Sequence, residues 1–102
     1  MVEQLYTHGV WIVKPGLEDE FVRRWRDLAS WTLSALPSAR GTLLQDSDDP
    51  RRFHSFGPWE SQEQIEAWRG SQGFQDRVGK LRETLEHFEP RTMRLIFDSG
   101  AG

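Results

Sequence analysis

Two histidines stand in short stretches rich in aromatic and β-branched residues, a composition typical of strands. His8 lies within Leu5–Val13, and His54 lies within Arg52–Trp59. Imidazole exchanges a proton readily near neutral pH, so either histidine is a candidate for the catalytic general base. His54 is the nearer of the two in sequence to Trp68, the residue expected to anchor an aromatic substrate. We expect the two rings to lie on opposite faces of a sheet, so that at most one serves.

Tryptophan and phenylalanine supply the candidate binding surface for an aromatic ligand. The chain contains five Trp and six Phe among 102 residues, and flat aromatic rings stack favourably on one another. The residues predicted to line such a pocket are Trp68, Phe74, Trp59, Trp11 and Trp25, with Arg52 predicted to hold a phenolate or carboxylate. These residues also have a purely structural interpretation. The aromatic rings can be ordinary core residues, and Arg52 and the two histidines can be ordinary exposed residues.

The composition argues against several other kinds of chemistry. The chain has no cysteine, so a disulfide and a thiol nucleophile are both impossible. The three histidines are not at helical ligand spacing, so we predict no metal site. A net charge of −3 disfavours nucleic acid as a partner, and no apolar run approaches a membrane span. The first residues do not follow the pattern of a signal peptide, so a cytoplasmic protein is expected.

Hydrophobic spacing and turn-forming residues predict four strands and three helices. In chain order these are a strand Leu5–Val13, a helix from about Leu17 to Leu36, strands Gly41–Gln45 and Arg52–Trp59, a short helix Ser61–Trp68, a helix from Phe74 to Phe88 stopped by Pro90, a strand Thr92–Asp98 and a frayed tail Ser99–Gly102. The order β-α-β-β-α-β predicts an α+β, ferredoxin-like fold with a four-stranded antiparallel sheet. The length suggests a single domain, 1–102, with an ordered core of about 3–98.

The first predicted strand is apolar on both of its faces. Alternation along the strand groups its apolar residues into two sets: Leu5, Trp11 and Val13 on one face, and Tyr6, Val10 and Ile12 on the other. Two helices cover only one face of a four-stranded sheet, which leaves the second set and Ile96 without a cover. A second copy of the chain is the simplest cover, so the pattern predicts a homodimer.

Three segments of the sequence resemble motifs of one protein family. Val13–Phe21, VKPGLEDEF, resembles a V-K-P-G-x-E-x-x-F junction between a first strand and a first helix, and Asp46–Phe53, DSDDPRRF, resembles a D-x-x-x-P-x-R-F hairpin. Residues 59–74 resemble a W-E-S strand end followed by W/H-x-x-S-x-x-F on a helix. Together they cover most of residues 5 to 97 and resemble the antibiotic biosynthesis monooxygenase (ABM) family. The resemblance implies that two sheets pack together as a dimeric α+β barrel.

The resemblance also implies a choice between two reactions. ABM-like enzymes of one kind oxidise a quinol, phenolic or polyketide-like aromatic with O2 and no cofactor, because the deprotonated substrate itself reduces oxygen. Enzymes of the other kind degrade heme and use a helix histidine and a strand asparagine. This chain has Val78 and Gly9 at those positions, and valine cannot ligate iron, so heme degradation is disfavoured. The resemblance thus implies a cofactor-independent monooxygenase.

A non-catalytic small-molecule-binding or dimerisation module of the same fold is the alternative, because fold does not determine function. The two hypotheses differ in the space between sheet and helices. An enzyme needs a cavity of roughly a few hundred Å³ with a histidine or arginine reaching into it, whereas a simple module has its tryptophans packed solid. Gly57 also stands where many ABM-like proteins have a glutamate, which removes one candidate base.

Overall fold

The computed structural model of the protein describes residues 3–100. Its elements are β1 (Leu5–Val13), α1 (Glu18–Ala35), β2 (Thr42–Gln45), β3 (Arg52–Trp59), α2 (Gln62–Gly70), α3 (Gln72–Arg82) and β4 (Leu85–Arg94). The strands form one antiparallel sheet in the order β2-β3-β1-β4. The predicted α+β, ferredoxin-like arrangement is therefore confirmed, with α2 and α3 together in the place of its second helix.

Two serines set the starts of α2 and α3. The hydroxyl of Ser61 accepts a hydrogen bond of 3.1 Å from the backbone N–H of Gln64. The Gln64 side chain reaches back to the backbone N–H of Glu60 at 3.0 Å, which completes a variant of the capping box. Ser71 accepts in the same way from the backbone N–H of Phe74 at 3.3 Å. These caps fix the junction that carries the aromatic residues of α2 and α3.

The predicted end of the third helix and the predicted last strand are both wrong. The helix ends at Arg82, and the strand begins at Leu85 rather than at Thr92. Leu85 and Phe88 still face the core, because they pair with β1 residues whose side chains point inward. The backbone ladder with β1 thus overrides the helical spacing of the apolar residues. Pro90 is tolerated because β4 is an edge strand, where a missing N–H removes no obligatory ladder bond.

The two faces of the sheet have different surroundings. The inner face packs against the helices and, with their apolar side chains, forms the core of Trp11, Val13, Phe21, Leu28, Phe53, Val78, Leu81 and Leu85. The outer face, opposite the helices, carries the alternate residues: Thr42 and Leu44 of β2; Arg52, His54 and Phe56 of β3; Tyr6, His8, Val10 and Ile12 of β1; and His87, Glu89, Arg91 and Met93 of β4. The predicted split of β1 into two faces is the basis of this division.

Two further points concern the ends of the chain and its helices. Of the predicted tail, residues 101 and 102 lie outside the described part of the chain, as do residues 1 and 2 of the predicted domain. Within residues 3–100, no helix combines the length and the apolar character needed to cross a membrane.

Candidate functional site: a cavity between sheet and helices

A cavity of about 340 Å³ lies between the inner face of the sheet and the three helices. Its wall includes all five aromatic residues that the sequence analysis proposes for ligand binding: Trp68, Phe74, Trp59, Trp11 and Trp25. Phe88, which the sequence analysis assigned to a helix, also lines the cavity from β4. A concave, mainly aromatic wall of this size is typical of a small-molecule site.

The aromatic rings form two groups within the wall. Around Trp68, the ring centroids of Trp59 and Phe74 lie at 4.6 Å and 4.5 Å, with interplanar angles of 40° and 60°. Elsewhere in the wall, Trp11 and Phe88 stack at 4.0 Å with an angle of 17°. Tilted and stacked pairs of this kind are favourable arrangements of ring quadrupoles. A flat ligand therefore meets aromatic surfaces contributed by both layers of the fold.

Hydroxyl groups orient three of the indole rings. Each indole N–H donates to a serine or threonine oxygen: Trp68 to Thr32 at 3.0 Å, Trp59 to Thr7 at 2.9 Å, and Trp11 to Ser55 at 2.9 Å. Because these donors are already engaged, the rings contribute apolar and π surface to the cavity rather than hydrogen bonds. The sequence analysis missed the three hydroxyl residues. For Thr7 and Ser55 a signal was available. Thr7 is four residues from Trp11 on β1, and Ser55 is four residues from Trp59 on β3, so each shares a face of its strand with a tryptophan.

Among residues 3–100, arginine and histidine are the only residue types in the cavity wall that can carry a charge. Arg69, Arg82 and Arg40 contribute to the lining, and no aspartate or glutamate between residues 3 and 100 does so. Arg69 is half-buried, and its guanidinium donates to Thr92 Oγ1 at 3.0 Å and to the carbonyl of Arg91 at 3.3 Å. Burial lowers the pKa of Arg69 because the charged form loses hydration. Sequence reasoning had placed the candidate cation at Arg52 instead.

The two histidines lie together, and not on opposite faces of the sheet as expected. His8 Nε2 and His54 Nδ1 are 3.4 Å apart on the outer face, because both residues have outward register positions on neighbouring strands. His8 belongs to the lining through its position on β1, but neither His54 nor Arg52 borders the cavity. The aromatic wall and the imidazole rings are therefore on different sides of the sheet.

Residues 6–80 match the family model described as antibiotic biosynthesis monooxygenase, ABM. The chain belongs to the ABM family. No curated protein sequence matches it significantly.

Solved structures agree with the fold of the ABM chain. The structure of a mutant of SnoaB, a cofactor-independent oxygenase from Streptomyces nogalater, is similar, with a TM-score of 0.85, 17% identity, and coverage of 95% of this chain and 97% of SnoaB. A conserved protein from Methanosarcina mazei Go1 has a TM-score of 0.81 and 19% identity, with coverage of 91% and 93%. At such identities the likeness concerns the fold.

Two positions test whether the ABM chain fits heme as some ABM-like proteins do. Val78 is 5% exposed in the core and has no atom that can ligate iron. A Cβ added at Gly9 would lie 3.0 Å from Trp11 Nε1 and 3.1 Å from Ser55 Oγ, so an asparagine there requires its neighbours to move. These residues do not fit a heme ligand and its helper. Within residues 3–100, no three histidine, aspartate or glutamate side chains cluster as a metal site.

Gly57, at the position where the resemblance led us to expect a glutamate, has no room for a side chain. A Cβ at Gly57 would lie 2.1 Å from the carbonyl oxygen of Arg40, which belongs to the connection between α1 and β2. A side chain is therefore excluded while this connection keeps its path across the inner face. Arg40 and Gly41 of this connection form part of the cavity wall.

Proposed function

We propose that this ABM chain binds a planar aromatic molecule in the cavity and oxidises it with O2 without a cofactor, as a monooxygenase of a small quinol, phenolic or polyketide-like substrate. The observation that carries the proposal is the cavity of about 340 Å³ walled by aromatic rings. Family membership supports an oxygenase reaction. The similar fold of SnoaB, described as a cofactor-independent oxygenase, supports the absence of a cofactor by analogy.

Substrate binding in this proposal depends on the faces of Trp68, Trp59 and Phe74. Thr32 holds the indole of Trp68, so the ring is preorganised and little side-chain entropy is lost when a ligand stacks on it. Trp11 and Trp25 complete the aromatic wall. The wall favours flat rings in general and does not select one substrate among them.

The chemical step needs orientation, exclusion of water and a proton acceptor rather than an electron carrier. A quinol that loses a proton becomes electron-rich enough to reduce O2, so the protein need only favour the deprotonated form in a fixed geometry. His54 or His8 is proposed as this proton acceptor. Their rings lie on the outer face of the sheet, so neither touches a ligand in the cavity directly. Positive charge from arginine in the wall favours the phenolate without accepting the proton.

The ABM chain is also proposed to form a homodimer through the outer face of its sheet. Leu44, Phe56 and Met93, on three different strands of that face, are 53%, 38% and 46% exposed, so large apolar side chains are spread across the whole width of the outer face. A second copy related by two-fold symmetry brings the same surface to cover them. Light scattering of the purified protein should give about twice the chain mass of 11.9 kDa. A monomer at micromolar concentration contradicts the dimer.

Oxygen uptake with a panel of hydroquinones and anthrone-like phenols tests the oxygenase. We expect Trp68→Phe to weaken substrate binding, whereas the matched variant Trp31→Phe, at a tryptophan that packs against Gly73 rather than the cavity, leaves it unchanged. If His54 is the base, His54→Gln lowers turnover by about 100-fold or more. Unchanged turnover removes His54 from the mechanism.

The same measurements separate the alternative function from the proposed one. A panel compound that binds in the cavity without any oxygen uptake indicates a non-catalytic small-molecule-binding module. If no compound binds and the protein is dimeric, the chain is a dimerisation module. The open cavity favours a ligand-binding function over the second of these, since a purely structural module has no need of unfilled space.

A further inference from the structure

The arginines of this protein divide into those that pair with carboxylates and those that do not. Arg24 pairs with Glu20 and Glu83, and Arg77 pairs with Asp27. Ion pairs to carboxylates also involve Arg23, Arg51, Arg91 and Arg94. Within the described chain, 3–100, five arginines have no such pair: Arg26 and Arg52, which lie outside the cavity wall, and Arg40, Arg69 and Arg82, which are all the arginines of that wall.

This division is unexpected from the composition alone. Acidic residues outnumber Lys and Arg by 16 to 13 in the sequence, yet the described wall contains three arginines and not one carboxylate. An arginine beside an apolar cavity loses hydration, and the protein usually compensates this loss with an acidic partner. Here the compensating negative charge is missing at the site where a ligand would enter.

Arg69 is the best placed of the three to meet a ligand. It directly follows Trp68 on α2, so the aromatic anchor and the positive charge have a fixed relative position on one helix. Its two hydrogen bonds to β4 engage only neutral oxygens, those of Thr92 and of the Arg91 carbonyl. A guanidinium has five N–H donors, so the remaining donors are available to another acceptor. Arg82 and Arg40 are more exposed and lie at the rim.

We propose that the cavity selects aromatic molecules that carry a carboxylate, and that Arg69 is the residue that binds this group. The proposal rests on the aromatic-binding part of the proposed function and adds a substrate class to it. Thr92 and the Arg91 carbonyl hold the guanidinium plane, which preorganises it for a two-pronged contact with the planar carboxylate. The lowered pKa of Arg69 agrees with a charge that lacks a compensating partner.

Arg82 and Arg40 have a different part in this selection. Arg82 lies with its guanidinium carbon 5.5 Å from the centroid of the Phe88 ring, and it is exposed to solvent. Charges at such a position attract an anion over a distance of about one Debye length, and salt screens the attraction. Arg82 and Arg40 therefore favour the entry of an anionic ligand, whereas Arg69 fixes its orientation.

Calorimetric titration with two matched probes tests the proposal. 6-Hydroxy-2-naphthoate and 2-naphthol share a hydroxylated fused ring, but only the first carries a carboxylate at pH 7. We expect the wild type to bind the naphthoate about tenfold more tightly, because a two-pronged charged hydrogen bond adds to the same stacking. Arg69→Gln should lose this tenfold preference and bind 2-naphthol as before.

Two further variants make the test specific. Arg23→Gln changes an arginine on the solvent side of α1 that pairs with Glu20, and it should leave the affinity for both probes unchanged. Arg69→Lys keeps the charge without the fork, so we expect about a threefold loss of naphthoate affinity. If Arg69→Gln does not fold, Arg69→Lys still provides the comparison.

Three results overturn the inference. Equal affinity of the wild type for the two probes, or a full preference retained by Arg69→Gln, removes the carboxylate site and leaves the aromatic cavity intact. Loss of preference in Arg23→Gln as well attributes it to net charge instead of Arg69. Failure of the wild type to bind either probe removes the aromatic-binding function together with the inference.

Discussion

The two faces of the sheet are built from the same strands but contain different kinds of residues. On β1, Trp11 points to the helices and is 4% exposed, whereas His8 and Val10 point away from them. The inner face is closed by helices except at the cavity. The outer face exposes apolar residues and carries all three histidines of the chain.

This difference separates binding from proton exchange. The aromatic rings and three unpaired arginines meet at the cavity, while the imidazoles of His8 and His54 meet each other on the outer side. Because side chains alternate along a strand, a shift of one residue would exchange the two sets. The position of a residue in the register, rather than its chemical type, therefore decides whether it can act on a ligand.

The largest difference between the faces should appear when a large apolar residue is shortened. Phe21 is 0% exposed and packs on Trp11 and Phe53 of the inner face. We expect Phe21→Ala to lower the free energy of unfolding by about 3–5 kcal/mol. Leu44→Ala on the outer face removes a contact of the proposed dimer but none of the core, so it should cost less, about 1 kcal/mol. Denaturant unfolding at equal protein concentration measures both, and similar losses would mean that the outer face is equally buried in solution.

Glycine substitutions test how closely the connection between α1 and β2 packs on the inner face at the edge of the cavity. Gly57→Ala places a methyl group against the carbonyl of Arg40, at 2.1 Å if nothing moves. We expect a loss of about 1–3 kcal/mol, since backbone must shift. Gly79→Ala, in α3 with nothing within 4 Å of the added atom, should instead stabilise the protein by about 0.5–1 kcal/mol. A neutral Gly57→Ala would show that the connection after α1 is adaptable.

A smaller effect is expected for the hydrogen bonds that orient the indoles. Trp59→Phe and Thr7→Val each remove the 2.9 Å bond between Trp59 Nε1 and Thr7 Oγ1. Thr7→Val should cost about 1 kcal/mol and Trp59→Phe more, because the buried ring also becomes smaller. The double variant should cost less than their sum because both remove one bond. Strictly additive changes in the free energy of unfolding would indicate that this hydrogen bond contributes nothing to stability.

The sequence was sufficient for the fold because its signals there are local or periodic. The limits of β1 and β3, the cap at Ser61 and the inward set of β1 all follow from alternation and capping chemistry. The end of α3 was mispredicted because Leu85 and Phe88 are three residues apart, which is a helical spacing. On β4 they both face inward only because the register with β1 shifts between Ile12 and Val13. Pairing with β1, a non-local interaction, decides between helix and strand.

The candidate site was predictable for its aromatic residues and not for its charges. Large rings in a small protein must be buried near one another, so Trp68 and Phe74 were accessible from composition and spacing. Arg69 could not be chosen among many arginines, since the decisive observation is which of them both line the cavity and lack a carboxylate partner in three dimensions. The meeting of His8 with His54 likewise depends on the register between two strands 46 residues apart.

The smallest expected effect concerns Arg23 and Arg24 of α1, which pair with carboxylates, in contrast to the arginines of the cavity wall. Hydrogen bonds from Arg23 and then Arg24 lower the pKa of Glu20 from 4.5 to about 2. The interactions that lower this pKa stabilise the fold fully above pH 4.5, where Glu20 is charged in both the folded and the unfolded chain. Their contribution is lost as the pH falls towards 2. Solvent and salt screen these side chains, so the stabilisation is small.

Glu20→Gln isolates this contribution from the rest of the protein. The variant should melt slightly below the wild type at pH 7 in low salt, and the difference should disappear near pH 2 and shrink in high salt. Probe binding in the cavity should not change, because Glu20 is outside its lining. A melting difference that persists at pH 2 would assign the effect to packing of the side chain. A change in probe binding would show that Arg23 and Arg24 share one electrostatic field with the cavity arginines, and the distinction between the two groups would fail.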